Sequence, residues 1–513
     1  MKKTVITLLS GLLAASCLFA QKTEGEYISL REKYTFAPDG SVVYKQHKEL
    51  RIDSFNALHN LYGETFIVYN PEFQTLTIDA CHTERTDGAV TPLPPRALNE
   101  VLPSVAADAP AYNHLKEMVI THTGLEPGAV IFLDYTITTR PGFPGAGDVY
   151  RKFNEVSPIR DYTLVVEVPA GKELFVSQTL GAKVTKSADG TVHTFKASGI
   201  PARITEQNTP VDDVPYIYAS LDPGEGAASL FKLLPKEDLS ALASKVCAGK
   251  SGDRDKMDAI FDWVSGNLAS SWIPLRQAGK VRPASEVIAS AYGTIEERAA
   301  LILSLASAAG VKAEPVALFE PGCPPCLQTL SGAMWVKACG KYYSAAGGFS
   351  REEDAVRGRY KALTPTGPVA VPEAEEAVNI DREVVLDPKK ATEAGDYLVF
   401  TIPTAEKGFD TWGTGALTAI RKYPYEVPSV LNEKVTYRIS TPKGTIVSKP
   451  FEKSLSGPAG TVKVKLAVDG GKAVYSREAS FVKTIIPLKE YASFKAQADF
   501  LKDEAFRTIV VKK

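Results

Sequence analysis

Histidine is scarce in this chain and poorly placed for catalysis. Six occur in 513 residues, at His47, His59, His82, His114, His122 and His193, and none follows. A nucleophile beyond His193 therefore has no imidazole in its own part of the sequence to take its proton. Long apolar runs are nearly as scarce. One runs from Val5 to Ala15, behind Lys2 and Lys3, and another from Ala299 to Ala309. No other segment approaches the roughly twenty that a spanning helix needs, so no transmembrane helix is expected in the mature chain. An excess of one charge is also missing. The 59 Lys and Arg against 60 Asp and Glu give a formal net charge of −1, and without a basic tract a nucleic-acid partner is excluded. Cysteine is sparse too: beyond Cys17 there are Cys81, Cys247, Cys323, Cys326 and Cys339, an odd number that cannot all pair. Stability must come from buried cores.

What is present supports such cores. Apolar residues make up 44% and charged ones 23%, an ordinary globular balance, and the length allows about three domains. The basic start, the apolar stretch and Ser16-Cys17-Leu18-Phe19-Ala20 before Gln21 read as a secretory signal cleaved after Ala20. A second reading makes Cys17 the lipidated first residue of a lipoprotein, but Ala14 and the apolar Leu18 and Phe19 fit it poorly. Both readings place the mature chain in the periplasm or at the cell surface.

From Glu24 to about Asp222 short alternating runs such as Tyr162-Thr163-Leu164-Val165-Val166 are punctuated by Asp39-Gly40, Asp87-Gly88 and Asp189-Gly190, the hairpin signature. From Leu230 the period becomes helical: Met257, Ile260, Phe261, Val264 and Leu268 share one face. A helix opening at Gly293-Thr294-Ile295-Glu296-Glu297 runs through Ala299 to Ala309 and stops at Gly310. Strands follow at Ala313 to Phe319, Ala333 to Ala338 and Lys341 to Tyr343. Strand patterns resume after the Pro-rich Leu363 to Glu373. The expected division is a signal peptide (1–20), an N-terminal β-sandwich (21–225), an α+β core (226–360), a linker or edge loop (361–378) and a C-terminal sandwich-like β domain (379–513). A short helical segment is expected near Tyr491 to Phe506.

The helix start and its surroundings carry a resemblance. Tyr62-Gly63-Glu64-Thr65-Phe66 with Tyr69-Asn70-Pro71, Gly124-Leu125-Glu126-Pro127-Gly128, Arg282 to Val287, Pro424 to Pro428 with Glu433, and Ile509 to Lys512 occur in the order seen in a family of secreted bacterial proteins. In that family a transglutaminase-like, papain-like core stands between two β domains of unknown function. The resemblance implies a Cys, His and Asp triad, with the cysteine in the first turn of the core helix, where free amides favour thiolate. The family segment usually reads Gly-Asp-Cys-Lys-Asp, and Ile295 stands in the cysteine position here. The histidine is expected at Ala333 or Gly332, and the aspartate at Ala345 within Ser344 to Gly348. No acid or amide occurs between Lys341 and Arg351, so a register slip restores neither partner. All three positions read as lost. Thr294 with Glu297 reads as a capping box, and Ile295 as a core residue. The inherited cleft would be lined by Ile295, Trp335 and Tyr343.

Other candidate chemistry is thinner. Cys323-Pro324-Pro325-Cys326 has the spacing of a redox dithiol, but a strand rather than a long helix follows, so a disulfide staple is the favoured alternative. Adjacent Cys81 and His82 leave open a metal site assembled from distant residues. Ala248-Gly249-Lys250-Ser251 lacks the first glycine of a phosphate loop. No cofactor and no metal site are read from the sequence. The expectation is a secreted transglutaminase-like pseudoenzyme that binds a peptide, glycan or envelope protein. The alternatives are thiol chemistry at Cys323 and Cys326, or a purely structural part of an envelope assembly.

Overall fold

The computed structural model describes residues 23–347, 352–353, 359–370 and 375–513. The signal segment with Cys17 lies outside the described residues, as does Gly348. The chain is a multidomain, strand-rich α+β protein with several sheets.

Eight strands form the first sheet, in the order Lys183–Lys186, Val192–Ile200, Ile159–Glu167, Gly25–Phe36, Val42–Ile52, Val130–Thr139, Gln74–Glu84 and Val90–Pro92. Its hairpins turn at the three Asp-Gly pairs. Gly40 there sits at φ +86°, a left-handed conformation that glycine enters without a Cβ penalty. Register fixes which residues share a face. Leu30 lies opposite both Tyr162 and Lys48, Lys48 opposite Leu133, and Leu164 opposite Phe195. That single face is covered by two small sheets. Val149, Phe153, Ile217 and Ala219 pack over Leu30, Leu164 and Phe195, whereas Ile67 and Ile120 pack over Leu133 and Tyr135.

The central part begins with helices α1 (Pro223–Leu233), α2 (Ser240–Val246), α3 (Asp253–Asn267), α4 (Leu275–Ala278), α5 (Ala284–Ser290) and α6 (Ile295–Ala308). Behind them lies a six-stranded antiparallel sheet ordered Glu352–Glu353, Lys341–Ser344, Leu330–Ala338, Ala313–Phe319, Lys361–Thr364 and Gly367–Val369. Helix α6 is apolar on nearly all sides because it is sandwiched: α3 and α5 flank it, and the Leu330–Ala338 and Ala313–Phe319 strands support it. The 361–378 stretch is not a linker. Lys361–Thr364 and Gly367–Val369 form a hairpin on the edge of this sheet, and Glu375–Val385 already belongs to the next one. Pro365 sits in the hairpin turn and Pro368 on the edge strand, where a missing backbone donor costs little.

The last part holds a five-stranded sheet, Glu375–Val385, Val430–Ser440, Lys472–Phe481, Gly460–Asp469 and Phe451–Gly457, with a hairpin turn at another Asp-Gly pair, Asp469-Gly470. A four-stranded sheet ends in Thr508–Lys512, and α7 (Leu488–Lys502) packs against this core. Among the described residues no helix is long and apolar enough to cross a membrane.

Side chains from the sequence stretches quoted above turn out to be joints between these parts. Asn70 is fully buried, and its Nδ2 donates to the Gln277 and Ala278 carbonyls at 3.0 and 3.1 Å. Gly279 follows at φ +72°, and a Cβ there would lie 2.9 Å from the Phe143 ring. The Tyr425 hydroxyl accepts from Asn208 at 3.0 Å, and Glu426 N donates to the Asn208 carbonyl at 2.7 Å. Replacing Asn70 with Ala strands two carbonyls. The expected loss is about 1–3 kcal/mol, read from urea unfolding.

Candidate functional site

The chain enters α6 through Tyr292–Thr294, which pairs in parallel with Ala269–Ser271. Thr294 is the N-cap. Its Oγ1 accepts from Glu297 N at 3.3 Å, and Glu297 Oε2 accepts from Thr294 N at 2.8 Å, so the capping box is complete. The first turn is closed to solvent: Ile295, Glu296, Glu297 and Arg298 are each at most 4% exposed. Three consecutive charged side chains thus lie inside the protein, and each is handled differently.

Glu297 carries the densest set of contacts. Besides Thr294 N it accepts from Arg282 Nε at 2.7 Å, Arg282 Nη2 at 2.9 Å, Arg282 N at 3.1 Å and the Tyr112 hydroxyl. Burial works against the Arg282 charge, but the Glu297 carboxylate more than offsets it and holds the guanidinium above its ordinary value. The guanidinium lies over the Tyr292 and Tyr112 rings, 4.8 and 5.3 Å from their centroids. Glu296 has its carboxyl pushed up to about 7 by burial, with its own amide and the Thr294 hydroxyl pulling the other way. Arg298 is held by main chain: its Nε donates to the Ala345 carbonyl at 2.7 Å and its Nη1 to that of Leu268. Burial pushes its guanidinium down.

Tyr112 comes from the N-terminal part of the chain. Ala106, Ala109, Tyr112 and Leu115 form one apolar cluster with Ile273, Ala278 and Tyr292, and Ala111 N donates to the Tyr292 hydroxyl at 2.6 Å. The connection before the Lys116–Thr121 strand therefore sits over the start of α6 and covers it.

The sheet facing α6 divides the expected positions between its two faces. Trp335 lies opposite Ser344, and Ala345 N donates to the Met334 carbonyl at 2.9 Å, so Met334 and Ala345 are neighbours across the strands. Met334 and Ala345 are buried in the same apolar cluster as Ile295. Ala333 points to the other face and packs with Val316, Trp335, Tyr342 and Ala362. A strand alternates sides, so an offset of one residue moves a side chain through the sheet. The same alternation divides the expected cleft. Tyr343 is on the α6 side, 5.9 Å from Phe261 and bonded through its hydroxyl to Asp258 at 3.0 Å, whereas Trp335 is on the far side. Ile295, Trp335 and Tyr343 do not line one cleft.

Cys323 and Cys326 form neither the expected staple nor a reactive dithiol. Both are free, buried thiols packed with Tyr216 and Tyr218. Burial pushes Cys326 up to about 12, with Asp148 adding to the effect, and raises Cys323 as well. A protonated, enclosed thiol is a poor nucleophile. With iodoacetamide at pH 8, the exposed Cys339 is expected to be alkylated in the native protein while Cys326 stays unmodified until unfolding; peptide mass spectrometry measures this. The neighbours Cys81 and His82 also part company. His82 stacks on Phe132 at 4.7 Å, and the Cys81 sulfur instead contacts His122 Nδ1 at 3.7 Å. Burial, reinforced by Lys48, pushes His122 down to about 3. Among the described residues no group of three or more His, Cys, Asp or Glu is placed to hold a metal ion.

The closed α6 start, Tyr112 and Met334 were not legible as a unit in sequence. The one available signal was Glu296-Glu297-Arg298 opening a helix that is apolar all round, which forces those charges inside.

Two family models match the chain: DUF3857, a domain of unknown function with a solved structure, over residues 38–204, and DUF3858, described in the same way, over residues 397–511. The α6 region lies between them. A crystal structure from Parabacteroides distasonis described as "a putative protease" is similar over 96% of this chain and 99% of that one, at 29% identity and a TM-score of 0.85. A "putative cysteine protease" from Cytophaga hutchinsonii is 14% identical over 44% of this chain and 79% of that chain, with a TM-score of 0.17. An M1 zinc metallopeptidase from Deinococcus radiodurans is 12% identical over 48% and 54%, with a TM-score of 0.22. Nothing below rests on these last two. No curated protein matches.

Proposed function

We propose that this chain is a transglutaminase-like protein whose core has lost the Cys, His and Asp reaction and now serves binding or scaffolding in the cell envelope. One observation carries the reading: Ile295 on α6, Met334 on its sheet and Ala345 just after the neighbouring strand are all apolar and buried in one core cluster. None can attack a carbonyl, accept a proton or orient a base. A second point supports it. The place where a substrate would approach α6 is occupied by Tyr112 and its neighbours, which favours a rigid scaffold over an open groove. The protease description of the Parabacteroides distasonis protein therefore comes to this chain as kinship of architecture rather than as a reaction.

The test is direct. The full chain, incubated with a glutamine-containing peptide and a primary amine, is expected to release no ammonia above the buffer rate. Release that scales with protein concentration would overturn the reading. For the envelope placement, mass spectrometry of the protein recovered from its producing cells is expected to find a mature N-terminus at Gln21; a full-length N-terminus in the cytoplasmic fraction contradicts it.

A further inference from the structure

The seam between the N-terminal and C-terminal parts encloses a cavity of about 830 Å³, within the size range of small-molecule sites. Its walls come from the Lys183–Lys186 and Val192–Ile200 strands, from residues 201–203 and 213–215, and from Lys422, Tyr423 and Leu488. The charge of these walls is out of keeping with the rest of the protein. Lys183, Lys196, Arg203 and Lys422 line the cavity against a single acid, Asp213, in a chain whose formal net charge is −1.

That one acid is already engaged. Asp213 Oδ2 accepts from Arg203 Nη2 at 3.0 Å, and its carbonyl accepts from Arg203 Nη1 at 3.0 Å. The same guanidinium lies 4.1 Å from the centre of the Tyr423 ring, so it is fixed from two sides. Lys183 and Lys196 are direct cross-strand partners. Like charges opposite one another destabilise a sheet, and no carboxylate among the described residues relieves this pair. Asp161 on the adjacent strand is in register with Ser198 and forms an ion pair with neither lysine. The opposite wall is held in place by Glu206, which accepts from Lys422 N at 2.8 Å and Tyr423 N at 3.2 Å. The cavity is thus preformed, positive, and open to solvent where Lys183, Lys196 and Leu488 are exposed.

We infer that this cavity is a binding site for a small molecule bearing two or more anionic groups, carboxylates or phosphates, which bridge the Lys183 and Lys196 pair to Arg203. The inference does not depend on the loss of catalysis in the core. An anion between the lysines replaces their repulsion with two attractions, and Arg203, whose Nη1 and Nη2 each donate once to Asp213, keeps its remaining N–H donors for a second oxyanion.

Calorimetry on the full chain at low ionic strength tests it, with pyrophosphate and tricarballylate as probes. At least one is expected to bind with one-to-one stoichiometry and submillimolar affinity. The double variant Lys183→Gln with Lys196→Gln is expected to weaken this by about tenfold or more. Tighter pyrophosphate binding assigns the site to phosphoryl groups, and tighter tricarballylate binding assigns it to carboxylates. Both substitutions are on exposed strand positions, and a melting curve checks that the variant is folded. The bound anion should raise the melting temperature of the native chain and leave that of the variant unmoved. Absence of binding by both probes at millimolar concentration, or a variant affinity within about twofold of the native value, overturns the proposal.

Discussion

Replacing Glu297 with Ala is expected to cost about 3–5 kcal/mol of stability, because it leaves the Arg282 charge buried without its counter-ion. The same change removes the N3 half of the capping box, strands Thr294 N, and takes the acceptor away from the Tyr112 hydroxyl. The effect should therefore be felt in two places. Urea unfolding should shift to lower denaturant, and limited proteolysis should open the segment around Ala106 to Leu115, which loses its anchor to α6. The double change Arg282→Met with Glu297→Leu is expected to recover most of the loss, since removing both charges leaves neither unpaired. A single Glu297→Ala variant losing less than about 1 kcal/mol would mean that the buried pair contributes no more than a surface one.

Glu296 should produce the second large effect, and it depends on pH. Its carboxyl is pushed up to about 7 in the folded protein from an ordinary 4.5. Between these values the folded state keeps a proton that the unfolded state has released. Stability therefore falls as pH rises through this window, the reverse of a salt-bridged acid. Below about pH 4.5 the group is neutral in both states and costs nothing. Above about pH 7 the folded protein carries a buried carboxylate, a penalty of about 3 kcal/mol. Glu296→Gln keeps the shape and removes the charge. Near pH 4 its stability should match that of the native chain, and at pH 8 it should exceed it by about 3 kcal/mol. The measurement is the difference between the two proteins in urea across pH 4 to 8. A constant difference across that range would show that Glu296 does not titrate there.

The elements that were legible before any coordinates were those set by local chemistry. The Asp-Gly turns sit between paired strands, α6 starts at the Thr294 cap, and the segment near Tyr491 to Phe506 contains most of α7. These depend on residues a few positions apart, and the sequence holds all the needed information. Linker and edge loop both stayed open for the 361–378 stretch because Pro and acidic residues suit either, and only a partner strand distinguishes them. Which of Ala333 and Met334 faces α6 was hidden for a similar reason. The face of a strand follows from its pairing, and the pairing here comes from Lys341–Ser344 and Ala313–Phe319. Cys323 and Cys326 were misread because spacing says nothing of burial.

By itself the sequence determined that the region after His193 has no imidazole, that the stretch from Ser344 to Gly348 has no acid, and that Ile295 rather than a thiol opens α6. Those are matters of composition, and no fold can supply an atom that is not in the chain. Tertiary structure alone decided that Ile295 shares a buried cluster with Met334 and Ala345, that Tyr112 reaches Glu297 across 185 positions, and that two lysines face each other beside a cavity between the N-terminal and C-terminal parts. Each of these is a contact between residues far apart in sequence. Their proximity comes from the packing of whole sheets and helices, which no short window of residues encodes.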